Sequence, residues 1–186
     1  IMKSFGEYLT VQNMNFIMLS LLPLVLVQKS SFASLSAANG QFMLFKTETY
    51  KKMNPHEKMK SEKVEDIKIA QLFKKEKIKI ACLTGIKNIS CRMYSNYSEA
   101  VNGFSKNVFM FFGDSVLITV FFWLITTFGF LSVLFTFQTA TFLMYFSAFI
   151  LTRIFISIVS KQNIFSNLIL LFPQQLTLGI IIYRSW

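Results

Sequence analysis

The sequence predicts a partial α/β domain followed by α-helical transmembrane segments. Three observations carry this expectation. Strand-like and helix-like stretches alternate between residues 36 and 94, the α/β pattern. From Val108 to Trp186 the only charged side chains are Asp114, Arg153, Lys161 and Arg184, a composition suited to lipid rather than to a water-soluble core. The charge is gathered elsewhere: residues 46–79 hold eleven lysines against six acidic residues. In all, the 186 residues carry a formal charge of +10, 53% hydrophobic residues and 22 phenylalanines. That length fits one or two domains.

Residues 1–35 form the first segment. The apolar run Phe16 to Val27 is broken by Ser20 and Pro23. It is too short for a straight span of about 20 residues, and a central proline would kink a helix. An interfacial or re-entrant segment is expected. The chain opens on Ile1 without a basic-then-apolar leader and reads as a piece of a longer protein.

Residues 36–94 are expected to be the folded polar part. Ser36 to Gln41 is a loop in which Gly40 leaves room for a ligand to approach. Phe42 to Phe45 reads as a buried strand. Thr47 to Met53 reads as a short helix, stopped by Asn54-Pro55. Ser61 is the expected cap of a helix over 62–75, with Glu65 and Asp66 near its start, where the helix dipole favours carboxylates. Ile78–Leu83 and Ile89–Tyr94 alternate as strands do, with Gly85 at the turn between them. Cys82 and Cys91 are spaced neither as a metal knuckle nor as a redox pair, and are expected to be reduced and buried in those strands.

Residues 95–107 carry Tyr97, Ala100, Val101 and Phe104 at helical spacing, the pattern of an amphipathic helix on a membrane surface. Residues 108–186 then supply two to three transmembrane helices, at about 113–136, 139–160 and 164–183, with Phe137-Gln138-Thr139 as the best turn. The third contains Pro173 and is expected to be kinked. With the polar part cytoplasmic, Arg153 and Lys161 fall on the inner side, as the positive-inside rule prefers. Lysines beside spans commonly face anionic headgroups. No nucleic-acid motif is present, so the membrane, not nucleic acid, is the expected partner.

Four stretches together carry a resemblance: Ala38-Asn39-Gly40-Gln41-Phe42-Met43-Leu44-Phe45, Val64-Glu65-Asp66-Ile67 with Ile69-Ala70, Cys91-Arg92-Met93-Tyr94, and Gly103-Phe104-Ser105-Lys106-Asn107. In this order, followed by apolar spans, they resemble the second half of a membrane-bound family 2 glycosyltransferase. The type is the hopanoid-associated, ceramide-glucosyltransferase-like or carotenoid-glycosylating one. The resemblance implies a GT-A fold, of which this chain is an internal and C-terminal fragment. It implies inverting transfer of a single sugar from a nucleotide-sugar donor to a membrane-embedded, lipid-type acceptor; the inner (plasma) membrane is the expected location.

By the same resemblance Asp66 is the general base and Glu65 its neighbour. Asn39, Gly40 and Gln41 lie by the donor sugar or acceptor, Arg92 meets the diphosphate, and Lys106 meets the acceptor headgroup. Ile89 and Met93 replace the glutamine and tryptophan of the processive relatives' Gln-x-x-Arg-Trp motif, which argues against polymer synthesis. His56 lies in Asn54-Pro55-His56-Glu57, where many relatives have Gly-Gly-His-Glu. It is a candidate for metal or diphosphate; a loop histidine without such a task is the other reading. A divalent metal, Mg2+ or Mn2+, is implied for the whole enzyme. Its Asp-x-Asp ligands are absent from this sequence, so the chain alone is expected to be inactive. Without the resemblance, Glu65 and Asp66 are ordinary first-turn acids, Asn39-Gly40 is a turn, and Arg92 is a surface ion-pair partner. The competing function is a non-enzymatic membrane protein whose basic α/β domain binds a partner or anionic lipid.

Overall fold

The computed structural model describes residues 2–62, 64–85 and 91–186. Among them there are helices and turns but no strand. The helices are α1 (Phe5–Leu21), α2 (Leu24–Lys29), α3 (Thr47–Met53), α4 (Pro55–Met59), α5 (Glu65–Lys75), α6 (Tyr97–Ser105), α7 (Val116–Thr136), α8 (Thr139–Val159), α9 (Ile164–Ile169) and α10 (Leu171–Arg184). The α/β expectation, and with it a GT-A domain, is therefore overturned: the described fold is all-α. The chain divides into two compact units, one of residues 1–20 with 92–186, the other of residues 21–91.

In the 21–91 unit, Met53, Ile69 and Phe73 form the core, with Met43, Phe45, Met59, Leu72, Ile78 and Ile80 packed on it. The stretches expected as strands do alternate. Met43 and Phe45 turn inward, while Phe42 and Leu44 stand 63% and 88% exposed. Ile78 and Ile80 turn inward between exposed Lys79 and Ala81. Alternation alone makes no sheet, because a strand needs a neighbour for its backbone groups, and among the described residues none is supplied. Cys82 is half-buried and Cys91 exposed, and neither lies in a strand. Of the expected strand Ile89–Tyr94, residues 89 and 90 lie outside the described residues; 91–94 is irregular.

Helix ends in this unit follow local chemistry. Asn54 adopts the left-handed conformation (φ 42°) that closes α3, and Pro55 takes the first position of α4. Helix α5 begins after Val64 without a side-chain cap, so Ser61 does not serve as one. Its far end closes with Ile78 N donating to Phe73 O (2.8 Å) and Lys77 N to Lys74 O (2.9 Å), around a left-handed Lys77.

The other unit is built on α1, α6, α7, α8, α9 and α10. Its core joins Met14, Phe16 and Ile17 of α1, Ala100, Val101 and Phe104 of α6, Ile156 of α8, and Leu178, Ile181 and Ile182 of α10. The apolar face of α6 is thus covered by protein. Ser105 Oγ donates to Ile181 O (3.2 Å) and Ser185 Oγ to Ser105 O (2.6 Å). This corrects the reading of 95–107 as a helix whose apolar side meets lipid. At Gly6 the backbones of α1 and α6 nearly touch: a Cβ there would stand 2.7 Å from Tyr97 N and Cα.

Helices α7 and α8 have 21 residues each and are apolar enough to cross a membrane. At 1.5 Å per residue each reaches about 30 Å, the hydrocarbon thickness. They are not buried core helices: Leu117 is 80%, Phe135 83% and Met144 75% exposed. Such an apolar surface calls for lipid or a partner, and the pair associates the protein with a membrane. The turn between them falls at Phe137-Gln138, where the sequence places it. The third apolar stretch is divided at Leu170 into α9 and the 14-residue α10. Pro173 fits in the first turn of α10, where no intrahelical N–H bond is lost.

Candidate functional site

Asp66 occupies the second position of α5. Its Oδ2 accepts a hydrogen bond from Gly40 N at 2.8 Å, and its Oδ1 accepts from Ile67 N at 2.8 Å. The loop bearing Gly40 is a tight turn in which Phe42 N donates to Asn39 O (3.1 Å) and Gln41 N to Asn39 Oδ1 (3.1 Å). Asn39, Gly40, Gln41 and Glu65 are exposed and Asp66 is half-buried. Two of the stretches singled out in the sequence therefore meet, at the start of one helix. A Cβ on Gly40 would lie 3.5 Å from the Asp66 carboxylate, an ordinary contact. The loop thus does not need glycine to reach Asp66.

The other candidates in this unit have other tasks. His56 Nδ1 lies 3.0 Å from Tyr50 Oη, and its ring sits edge-on to Phe45, which also packs on Tyr50 and Phe73. That is an aromatic core position, half-buried, rather than a loop ligand. Among the described residues no three His, Cys, Asp or Glu side chains are grouped to hold a metal ion. The residues around Asp66 therefore do not suit Mg2+ or Mn2+ by themselves. Lys74 is buried, its Nζ donating to Leu35 O (2.6 Å) and Phe32 O (3.4 Å), and burial lowers its pKa.

Arg92 belongs to the other unit, with its own partner. Its Nε donates to Glu7 Oε1 (2.9 Å) and its Nη2 to Glu7 Oε2 (3.0 Å), and Nη2 also donates to Ser95 O (3.1 Å). Glu7 is buried and accepts further bonds from Lys3 N, Ser4 N and Ser4 Oγ. The Arg92 guanidinium, helped by those donors and opposed by burial, holds the Glu7 carboxyl well below the usual carboxylate range. The guanidinium edge that would suit a diphosphate is occupied. Lys106 is exposed at the end of α6, and Asp114 is exposed with φ 62°.

The sequence reading missed two features. Ser4-Phe5-Gly6-Glu7 is a capping box: Ser4 N donates to Glu7 Oε2 at 2.6 Å and Glu7 N to Ser4 Oγ at 3.4 Å, starting α1. The Ser-x-x-Glu pattern was there to be read. The second is a polar network inside the helical unit. Arg153, fully buried, donates through Nη1 to Gln174 Oε1 (2.7 Å) and Asn167 Oδ1 (3.2 Å), and lies 3.8 Å over the Phe16 ring. Gln174 Nε2 reaches Gln12 Oε1 (3.0 Å) and Tyr8 O (3.0 Å), while Asn13 Nδ2 donates to Gln174 O (2.9 Å). Asn167 Nδ2 donates to Ser157 Oγ (2.8 Å) and Gln162 Oε1 (3.1 Å). Its signal was a lone cation in an apolar helix together with Gln12-Asn13 and Gln174-Gln175. Buried ionisable groups in such helices are costly and mark functional positions.

Compared with protein-family models, with curated proteins and with solved structures, the chain matches none.

Proposed function

We propose that the chain is part of a membrane-bound glycosyltransferase that moves one sugar from a nucleotide-sugar donor to a lipid-type acceptor at the inner face of a plasma membrane. The supporting observation is the Gly40 N to Asp66 Oδ2 bond, which joins the Asn39-Gly40-Gln41 loop to the Glu65-Asp66 helix start across 26 residues. Each Asp66 oxygen keeps a further lone pair after its backbone bond. Asp66 accepts the proton of the acceptor hydroxyl as that oxygen attacks the sugar's C1. The bond from C1 to the diphosphate oxygen breaks, and the nucleotide diphosphate leaves with its electron pair. Asn39 and Gln41 offer exposed amides to sugar hydroxyls. Arg92, held by Glu7, is left out of this reading.

The test is sugar transfer in membranes carrying the chain in its complete coding context, with a labelled nucleotide sugar. Asp66→Asn is expected to lower turnover by about 10²–10⁴-fold, the range of a lost general base, with donor binding retained. Turnover equal to that of the parent removes Asp66 from the role.

A second reading is supported by the lysines. Lys46, Lys51, Lys52, Lys58, Lys75, Lys77 and Lys79 are exposed. Among the described residues the ion pair in this unit is Lys60 with Glu57. Such a surface suits anionic lipid, at about 1 kcal/mol per lysine near the headgroups. Salt-sensitive binding to anionic vesicles with no sugar transfer in the complete protein would favour it.

A further inference from the structure

Two guanidinium groups of the same unit use opposite edges. Arg92 grips both oxygens of Glu7 with Nε and Nη2. On Arg153 those two nitrogens are buried and make no hydrogen bond; only Nη1 is held, by Gln174 and Asn167. Phe16 beneath the plane, with its centroid 3.8 Å from Cζ, fixes the orientation. Among the described residues no carboxylate forms an ion pair with Arg153. Gln162 Nε2, joined to the network through Asn167, is another buried donor without a partner. Against these three donors stands one buried acceptor of the network, Asn13 Oδ1.

A network with spare N–H groups, a positive charge and no carboxylate suits an anionic acceptor. The bare Nε–Nη2 edge presents two parallel donors, the geometry that matches two oxygens of a phosphate. Arg153 lies about 9 Å along the axis from Val159, the last residue of α8. Headgroup phosphates are the anions nearest the ends of a helix that crosses a bilayer.

We propose that the free edge of Arg153 is a binding site for a phosphate-type oxyanion inside the helical unit, with Gln174 and Asn167 holding the guanidinium in place for it. The proposal does not rest on the sugar-transfer reading, and its test involves no sugar. The source of the phosphate is a lipid headgroup or free phosphate, and the experiment separates them.

The chain is placed in nanodiscs of phosphatidylcholine alone or mixed with phosphatidylglycerol. Retained lipid is counted by native mass spectrometry, and unfolding midpoints are read with and without inorganic phosphate. For a lipid source, the parent chain retains phosphatidylglycerol over phosphatidylcholine. Arg153→Gln loses the preference. Arg153→Lys, which keeps the charge but not the fork, binds about tenfold or more weakly, as expected for charge-assisted bonds lost. For free phosphate, the midpoint of the parent rises with inorganic phosphate in neutral discs, the variants do not respond, and no lipid preference is seen. Arg184→Gln, at an exposed arginine bonded to Asn102, is the control and should behave as the parent does. If Arg153→Gln does not fold, Arg153→Lys decides. Equal lipid retention and equal phosphate response in the parent and Arg153→Lys would overturn the site.

Discussion

Arg92 and Arg153 belong to one compact unit, yet they are balanced in different ways. Arg92 is exposed and meets a full carboxylate at a helix start, where Ser4 and Lys3 share the load on Glu7. Arg153 is wholly enclosed and meets only amide oxygens and a phenyl face. Amide dipoles and an aromatic ring stabilise a cation far less than an opposite charge does, and an enclosed ion loses several kcal/mol of hydration. The first arrangement is complete and its job is to anchor α1. The second is held through Nη1 alone and leaves Nε and Nη2 without a hydrogen bond. The contrast teaches that a saturated arginine is a structural tie, while an equally well-placed but unsaturated one points to a ligand.

The comparison breaks most severely at Gln174. This side chain bonds Arg153, Gln12 and the Tyr8 carbonyl at once. Gln174→Leu leaves several buried groups unpaired, each costing about 1–3 kcal/mol, so a loss of roughly 3 kcal/mol or more is expected in unfolding of the detergent-solubilised chain. A loss below about 1 kcal/mol would mean the network is not formed.

Gly6→Ala comes next. The new methyl meets the backbone of Tyr97, which cannot swing aside as a side-chain tip would. A cost of about 1–3 kcal/mol is expected, read from the same unfolding curve. Gly40→Ala, with its Cβ at ordinary contact distance from Asp66, should change stability much less.

A pH titration sharpens the contrast further. The Glu7 pKa is depressed in the fold, so the link to Arg92 contributes fully above the ordinary carboxylate pKa of about 4. That contribution falls progressively as pH drops below that value and is gone once pH has passed through the lower folded value. Amide exchange at the start of α1 should accelerate in acid, and Glu7→Gln should abolish that acid dependence. The bonds that hold Arg153 involve no carboxylate, so the α8 amides around it should show no matching change. Acid-independent exchange at α1 would contradict the Glu7 assignment.

Which parts were legible follows from how far each signal reaches. Helices α7 and α8 and their turn were plain, because a long apolar run with a single charge, Arg153, is a local property. Helix α3 and its stop at Asn54-Pro55 were plain for the same reason. The lack of strands at 42–45 and 78–83 was not, because alternation is local while pairing is not. Most of α1 escaped notice because half its buried face is polar: Glu7, Thr10, Gln12 and Asn13 lie inside, and periodicity arguments look for apolar faces. Of the candidate site, the sequence suggests that the Asn39–Gln41 loop, Glu65–Asp66 and Arg92 line one face; Gly40 N bonds Asp66, while Arg92 is bound to Glu7 instead. The sequence leaves Arg92 open between a diphosphate contact and an ion pair, and hides which one holds because its partner, Glu7, stands 85 residues earlier.

The contrast between the two arginines depends on α1 lying against the α9–α10 segment. Gln12 Nε2 donates to Ser166 Oγ at 2.8 Å across 154 residues. The most direct test is therefore a double-mutant cycle on Gln12→Ala and Ser166→Ala, read by unfolding of the detergent-solubilised chain. The expected result is a coupling of about 0.5–1.5 kcal/mol between the two side chains. Strictly additive losses would contradict the placement of α1 and with it the enclosure of Arg153.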